Sequence, residues 1–130
     1  MPVEITVLGW GVALLIVQML LASVPATMEL GGEYQAGPRD EPRTPKGRFA
    51  GRAGRAYRNL LETFPAYVAI ALALAVTGKT GGYAETAAIV WLLARVLYVP
   101  LYIVQIPFAR STVWLVALLA LIAMLVRLLS

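Results

Sequence analysis

The chain has 130 residues, of which 60% are hydrophobic and only 14% charged, with a net charge of +4 and neither cysteine nor histidine. Soluble domains run nearer ~45–50% apolar and ~25% charged, and a chain this short buries too little surface to hide so much hydrocarbon, so a soluble monomer is excluded. Without cysteine or histidine there is no disulfide, thiol nucleophile, zinc ribbon or imidazole base, and seven scattered acids make no metal cage.

The first apolar run, Ile5 to Val24, is twenty uncharged residues, long enough to cross the hydrocarbon. Glu4 ahead of it, no preceding Lys or Arg, and the length of the run favour a spanning helix over a cleavable signal. Gly31 to Gly47 carries Gly31-Gly32, Gly37-Pro38, Pro42 and Pro45 among charges, the composition of a surface loop. A second run goes from about Leu60 to Val76 and contains Glu62. The third spans about Ala84 to Ile106 around Arg95, and the fourth goes from Ser111 to Leu129 with Arg127 near its end. None alternates as a barrel strand does. The expectation is an all-α integral membrane protein, a four-transmembrane-helix bundle forming one domain over residues 1–130. Its helices are expected at about 3–25, 48–77, 84–106 and 110–129, with a loop at about 28–47.

Basic residues set the orientation. Arg39, Arg43, Lys46, Arg48, Arg52, Arg55 and Arg58 lie in the first loop and the base of the second helix, and Arg110 in the third connection. Only Lys79 and Arg127 lie on the other side. Eight against two predicts a cytoplasmic loop with both termini across the bilayer. Topology thus accounts for part of the basic cluster, and nucleic acid is not expected as a partner.

Arg48, Arg52, Arg55, Asn59 and Glu62 recur at spacings of three or four, which puts them on one helical face flanked by Arg58. Continued upward, that face becomes Ala66, Ala69 and Ala73, small residues that let backbones approach closely in a membrane. A polar chamber below a packing seam is predicted. Snorkelling to the headgroups explains Arg39, Arg43 and Lys46. It does not explain Glu62, whose carboxylate costs about 2.5–3.5 kcal/mol at the bilayer centre on insertion scales.

On the third helix Trp91, Arg95, Tyr98, Tyr102 and Gln105 occupy a narrow arc. A Glu62–Arg95 pair is predicted, since either charge alone is left unneutralised; Arg95 is then either an architectural partner or part of the site. Arginine forks match carboxylates and a glutamate suits an ammonium group, so the cluster fits a small ligand with both. Glutathione, with two carboxylates, an amine and a thiol, is such a ligand, and an apolar electrophile would reach it from the bilayer.

The run Arg55-Ala56-Tyr57-Arg58-Asn59-Leu60-Leu61-Glu62-Thr63-Phe64-Pro65 resembles the signature of the MAPEG family, membrane-associated proteins in eicosanoid and glutathione metabolism. Ala94-Arg95-Val96-Leu97-Tyr98 with Tyr102 resembles its third-helix motif, and Arg110-Ser111 the start of its fourth helix. The resemblance implies a homotrimer with glutathione bound between subunits. In that arrangement Arg52, Arg55, Arg58, Asn59, Glu62 and Arg95 hold its charged ends, while Tyr98 and Tyr102 line the pocket. It also implies that Arg110, with Ser111 beside it, faces the sulfur. The first loop is similar to those of bacterial relatives, which implies an inner-membrane location. Eicosanoid-making members often carry an arginine at the cytoplasmic end of the first helix, where this chain reads Ser23-Val24-Pro25-Ala26-Thr27-Met28. A general conjugating or peroxide-reducing role is therefore implied.

Two other readings compete with this transferase. One is a non-catalytic glutathione- or lipid-binding protein of the same fold. The other is a four-helix multidrug exporter, which needs an acidic group in mid-membrane on the first helix where this chain offers only Gln18.

Overall fold

A computed structural model describes residues 1–130. It is all helical, in the order α1 (Val3–Leu30), α2 (Gly32–Ala36), α3 (Arg48–Val76), α4 (Tyr83–Val104) and α5 (Pro107–Leu129). Every helix except α2 is long and apolar enough to cross a membrane. α1 lies against α3 and α4, α5 lies against the same two, and α1 and α5 do not touch.

The first helix outruns its expected end near residue 25. Pro25 lies inside it and removes one backbone donor, but the ladder resumes beyond it and ends only where Gly31 turns to φ 94° and donates to Thr27 O at 2.8 Å. The expected loop is accordingly shorter and holds α2. It is also folded back on itself. Tyr34 Oη donates to Glu41 O at 2.6 Å and accepts from Arg43 N at 2.7 Å, with the Arg43 guanidinium 4.7 Å from the ring centre. At the end of α1 the Glu29 carboxylate accepts the backbone N–H groups of Lys46 and Gly47, and Gly47 is the N-cap of α3. A carboxylate at that point satisfies donors the helix cannot pair itself and complements its dipole.

Alanines fill much of the contact between helices. α3 turns Ala50, Ala53, Ala56, Leu60, Phe64, Tyr67, Ala71 and Leu74 inward, and α4 meets it with Ala84, Ala87, Ala88, Trp91 and Ala94. Small residues matter here because lipid tails are as apolar as side chains, so close packing must supply the attraction. One aromatic stack stands among them. The Trp91 ring lies 4.2 Å from that of Tyr67 and 5.9 Å from that of Phe64. Gly11 lets α1 close over it, since a Cβ there would sit 3.0 Å from Phe64 Cε1 and 3.5 Å from Trp91 Cζ3.

The predicted seam of Ala66, Ala69 and Ala73 does not pack inside the protomer: Glu62, Ala66 and Ala69 are exposed. The larger apolar residues of the opposite face, from Leu60 to Leu74, take the interior instead. Only 24 of the 130 residues are buried, which leaves a mostly apolar exterior for lipid or for other copies to cover.

At the end away from the loop, polar groups join the helices. Glu4 is fully buried; its carboxylate accepts Gly81 N at 2.7 Å and its carbonyl accepts Tyr67 Oη at 2.8 Å. Lys79 Nζ donates to Leu128 O at 2.8 Å, and Arg127 Nε donates to Lys79 O at 3.1 Å. The only two basic side chains at this end thus satisfy backbone carbonyls.

Gly11→Val is expected to lower stability by about 1–3 kcal/mol through overpacking against Phe64 and Trp91. Gly9→Val, where a Cβ meets nothing within 4 Å, is expected to change little. Thermal melting of both variants in detergent checks the contrast.

Candidate functional site

The polar residues singled out in the sequence gather at the loop end of α3, α4 and the start of α5, and fall into three groups. The first lines an open cavity of about 490 Å³ formed by Asn59 of α3, Tyr98 and Tyr102 of α4, and Arg110, Ser111, Trp114 and Leu115 of α5. Helical spacing explains the α5 contribution: positions 110, 111, 114 and 115 share one face. Trp114 and Leu115 were missed in the sequence, although this spacing from Arg110-Ser111 was the available signal.

Tyr102 is the hub of the cavity. Arg55 Nε donates to its hydroxyl at 3.1 Å, and the Arg55 guanidinium stands 6.0 Å from the ring centre. The Arg110 guanidinium stands 4.8 Å from the same ring. Two permanent cations therefore attend one phenol, and none of the side chains lining the cavity is a carboxylate. Arg110 Nη1 also reaches Gln105 Oε1 at 3.5 Å, while Gln105 Nε2 donates to Tyr102 O at 2.7 Å. Gln105 does not continue the Trp91–Tyr102 arc as expected. It terminates α4 in the left-handed region, φ 64° and ψ 58°, so its amide turns back toward the α4–α5 corner.

The second group supports the cavity without lining it. Arg95 is 1% exposed. Its Nη1 donates to Asn59 Oδ1 at 2.8 Å, and its guanidinium stacks 4.5 Å from the Tyr98 ring centre. Both partners line the cavity, so Arg95 fixes two of its walls from behind. The expected Glu62–Arg95 pair does not form. Glu62 is exposed, and the one ion pair in the protomer is Arg43–Glu41 at the surface. Asn59, one turn before Glu62 on α3, meets Arg95 instead, through an amide oxygen rather than a carboxylate. Arg52 is likewise architectural: its Nη1 donates to Ile103 O at 2.8 Å and so satisfies a carbonyl at the end of α4.

The third group opens away from the cavity. Arg58 and Glu62 are exposed on α3. Arg58 shares a separate cleft of about 450 Å³ between α1 and α3 with Ser23, Arg43, Thr44 and the flank of Arg55. Trp91 belongs to neither space and lies in the aromatic stack of the core.

The first group can attract an anion to Arg110, offer it the Ser111 hydroxyl, and face an apolar guest with Trp114 and Leu115, while Arg55 adds a second positive charge at Tyr102 from the edge of the neighbouring cleft. Guanidinium groups hold carboxylates by charge-assisted, often bidentate hydrogen bonds. They also stabilise a neighbouring anion without being able to accept its proton.

A family model described as MAPEG family matches residues 7–130 of the chain. No curated protein and no solved structure matches it.

Asn59→Ala is expected to cost about 1.5–3 kcal/mol, the scale of a buried hydrogen bond to a charged group, because it removes the one hydrogen-bond partner of Arg95. Tyr98→Phe keeps the aromatic face beneath the guanidinium and is expected to cost much less. Comparison of their melting curves with that of the unaltered protein checks both.

Proposed function

The chain belongs to the MAPEG family, membrane proteins associated with glutathione, and from that premise we propose that it is a glutathione-dependent membrane transferase or peroxidase. The observation that carries this reading is a cavity that holds Tyr102, Arg110, Ser111 and the apolar Trp114 and Leu115, with the Arg55 and Arg110 guanidinium groups both gathered at Tyr102. Glutathione supplies two carboxylates for arginine forks and a thiol for Arg110. Lipid supplies the apolar co-substrate.

The chemistry follows from the charges. A thiol with a pKa of about 8.5 is mostly protonated at neutral pH, and an adjacent permanent cation favours its thiolate. Arg110 acts electrostatically, since it cannot take the proton itself; the proton passes to solvent. Ser111 donates a hydrogen bond to the sulfur. The thiolate then attacks an electrophilic carbon, forming a carbon–sulfur bond while the leaving group departs with its electron pair. On a lipid hydroperoxide it attacks the terminal oxygen instead, and a second glutathione completes the reduction to alcohol, water and disulfide.

The remaining residues fit an assembly. Arg58, Glu62, Ala66 and Ala69 lie exposed along one face of α3, and Arg58 opens into a cleft separate from Tyr102. In a homotrimer that face meets a neighbouring subunit, so that one copy's Arg58 and Glu62 complete the cradle started by another copy's Arg55, Asn59, Tyr98 and Tyr102. The basic loop end faces the cytoplasm, where glutathione is made, and the termini face away across a bacterial inner membrane. The charge count favours this orientation.

Calorimetric titration of the detergent-solubilised protein with glutathione tests the reading. Saturable heat is expected, weakened at least tenfold in Arg55→Ala and Glu62→Gln. Bound glutathione is expected to show the ultraviolet absorbance of a thiolate, and Arg110→Ala is expected to abolish it while leaving measurable binding. No heat at millimolar glutathione overturns the proposal. Binding without the absorbance identifies a non-catalytic binding protein.

A further inference from the structure

Arg95 uses only one of its nitrogens. Nη1 is bonded to Asn59, but Nε and Nη2 have no partner, nor does Nε1 of Trp91 one turn earlier on α4. Both side chains are at least 99% buried, with exposures of 1% and 0%. The six-membered ring of Trp91 faces Gly11 of α1, whose Cβ would stand 3.5 Å from Cζ3, so the N–H edge of the indole is turned away from α1. On the side of α5, a small cavity of about 10 Å³ lies against Trp91, Arg95 and Thr63, walled on its other side by Trp114, Ala117, Leu118 and Leu121. That is room for one water-sized guest.

The three unpartnered nitrogens are all donors. A buried donor without an acceptor costs about 1–3 kcal/mol, and more when charged. Arg95 also has no carboxylate within ion-pair distance, and a permanent cation in low dielectric demands compensation. A water molecule offers acceptor lone pairs but no charge. An anion little larger than water offers both.

We propose that this cavity binds a single monovalent halide, chloride in the cell, as the counter-ion of Arg95, held by Arg95 Nε and Nη2 and by Trp91 Nε1. The site is distinct from the cavity around Tyr102 and depends on no activity assigned there. By neutralising Arg95 it steadies the side chain that holds Asn59 and Tyr98 in place.

The test uses the whole protein purified in detergent, with bromide as the probe in crystals. Crystals soaked in sodium bromide are expected to show an anomalous peak between Arg95 and Trp91. Melting in sodium chloride is expected to lie several degrees above melting in sodium gluconate at equal ionic strength, because gluconate is too large for the cavity and ligand binding stabilises only the folded state. Trp91→Phe keeps the ring but loses the donor, and is expected to remove at least half of that difference. The bromide measurement on the unaltered protein decides the matter even where the variant does not fold. No peak, or a water at that position that bromide does not displace, overturns the proposal.

Discussion

The arrangement of α3, α4 and α5 turns on one permanent charge buried in the middle of a helix bundle. Arg95 cannot shed its proton, and the hydrocarbon around the bundle offers it nothing. The guanidinium must therefore be met from inside, and it is met on α3 by an amide oxygen and on its own helix by the face of a phenol. Each contact is directional. The Asn59 contact joins α3 to α4 in the rotation that carries Asn59 inward and leaves Arg58 and Glu62 exposed, while the Tyr98 contact holds the guanidinium against its own helix. The residues that face the open cavity are thus held in place by one that does not touch it.

Several charged groups elsewhere finish helices. Glu29 closes the start of α3, Arg52 the end of α4, Lys79 the end of α5, and Glu4 the turn before α4. In a protein of so few charges, that is a large share committed to backbone groups. The reason lies in the solvent: near a bilayer, an unsatisfied N–H or C=O has less water to turn to. Arg55 and Arg110 stand out against this pattern, because both gather at the side chain of Tyr102 rather than capping a helix end.

Much of this was legible in the sequence, and the part that was not has a common cause. Four long apolar runs broken by Gly- and Pro-rich segments specify four spanning helices almost by length alone; spacings of three and four set the faces of Asn59, Tyr98 and Tyr102, and these line one cavity with Arg110 and Ser111. Periodicity gives a residue's angle on its own helix but not the rotation of the neighbour. The expected Glu62–Arg95 pair failed on that point: Glu62 and Asn59 lie three residues apart on neighbouring angles, and only the packing of Phe64 and Leu60 decides which one meets Arg95. The Ala66–Ala73 stripe finds no partner within the chain for the same reason. Within the protomer the bulkier opposite face packs inward, which the apolar pattern of a membrane helix does not reveal because both faces are apolar. Helix ends were the third difficulty. The first helix was expected to end near residue 25, yet it runs through Pro25 to Leu30 and stops only at Gly31.

The left-handed residue at the α4–α5 corner has a mechanical consequence. Gln105 donates back to the Tyr102 carbonyl and accepts from Arg110, and after Ile106 the chain enters α5 at Pro107. The amide thereby links the backbone of the last turn of α4 to the first basic side chain of α5, whose guanidinium lies 4.8 Å from the centre of the Tyr102 ring. The same corner is tied back to α3 by a side chain rather than a loop, since Arg55 reaches the Tyr102 hydroxyl from there.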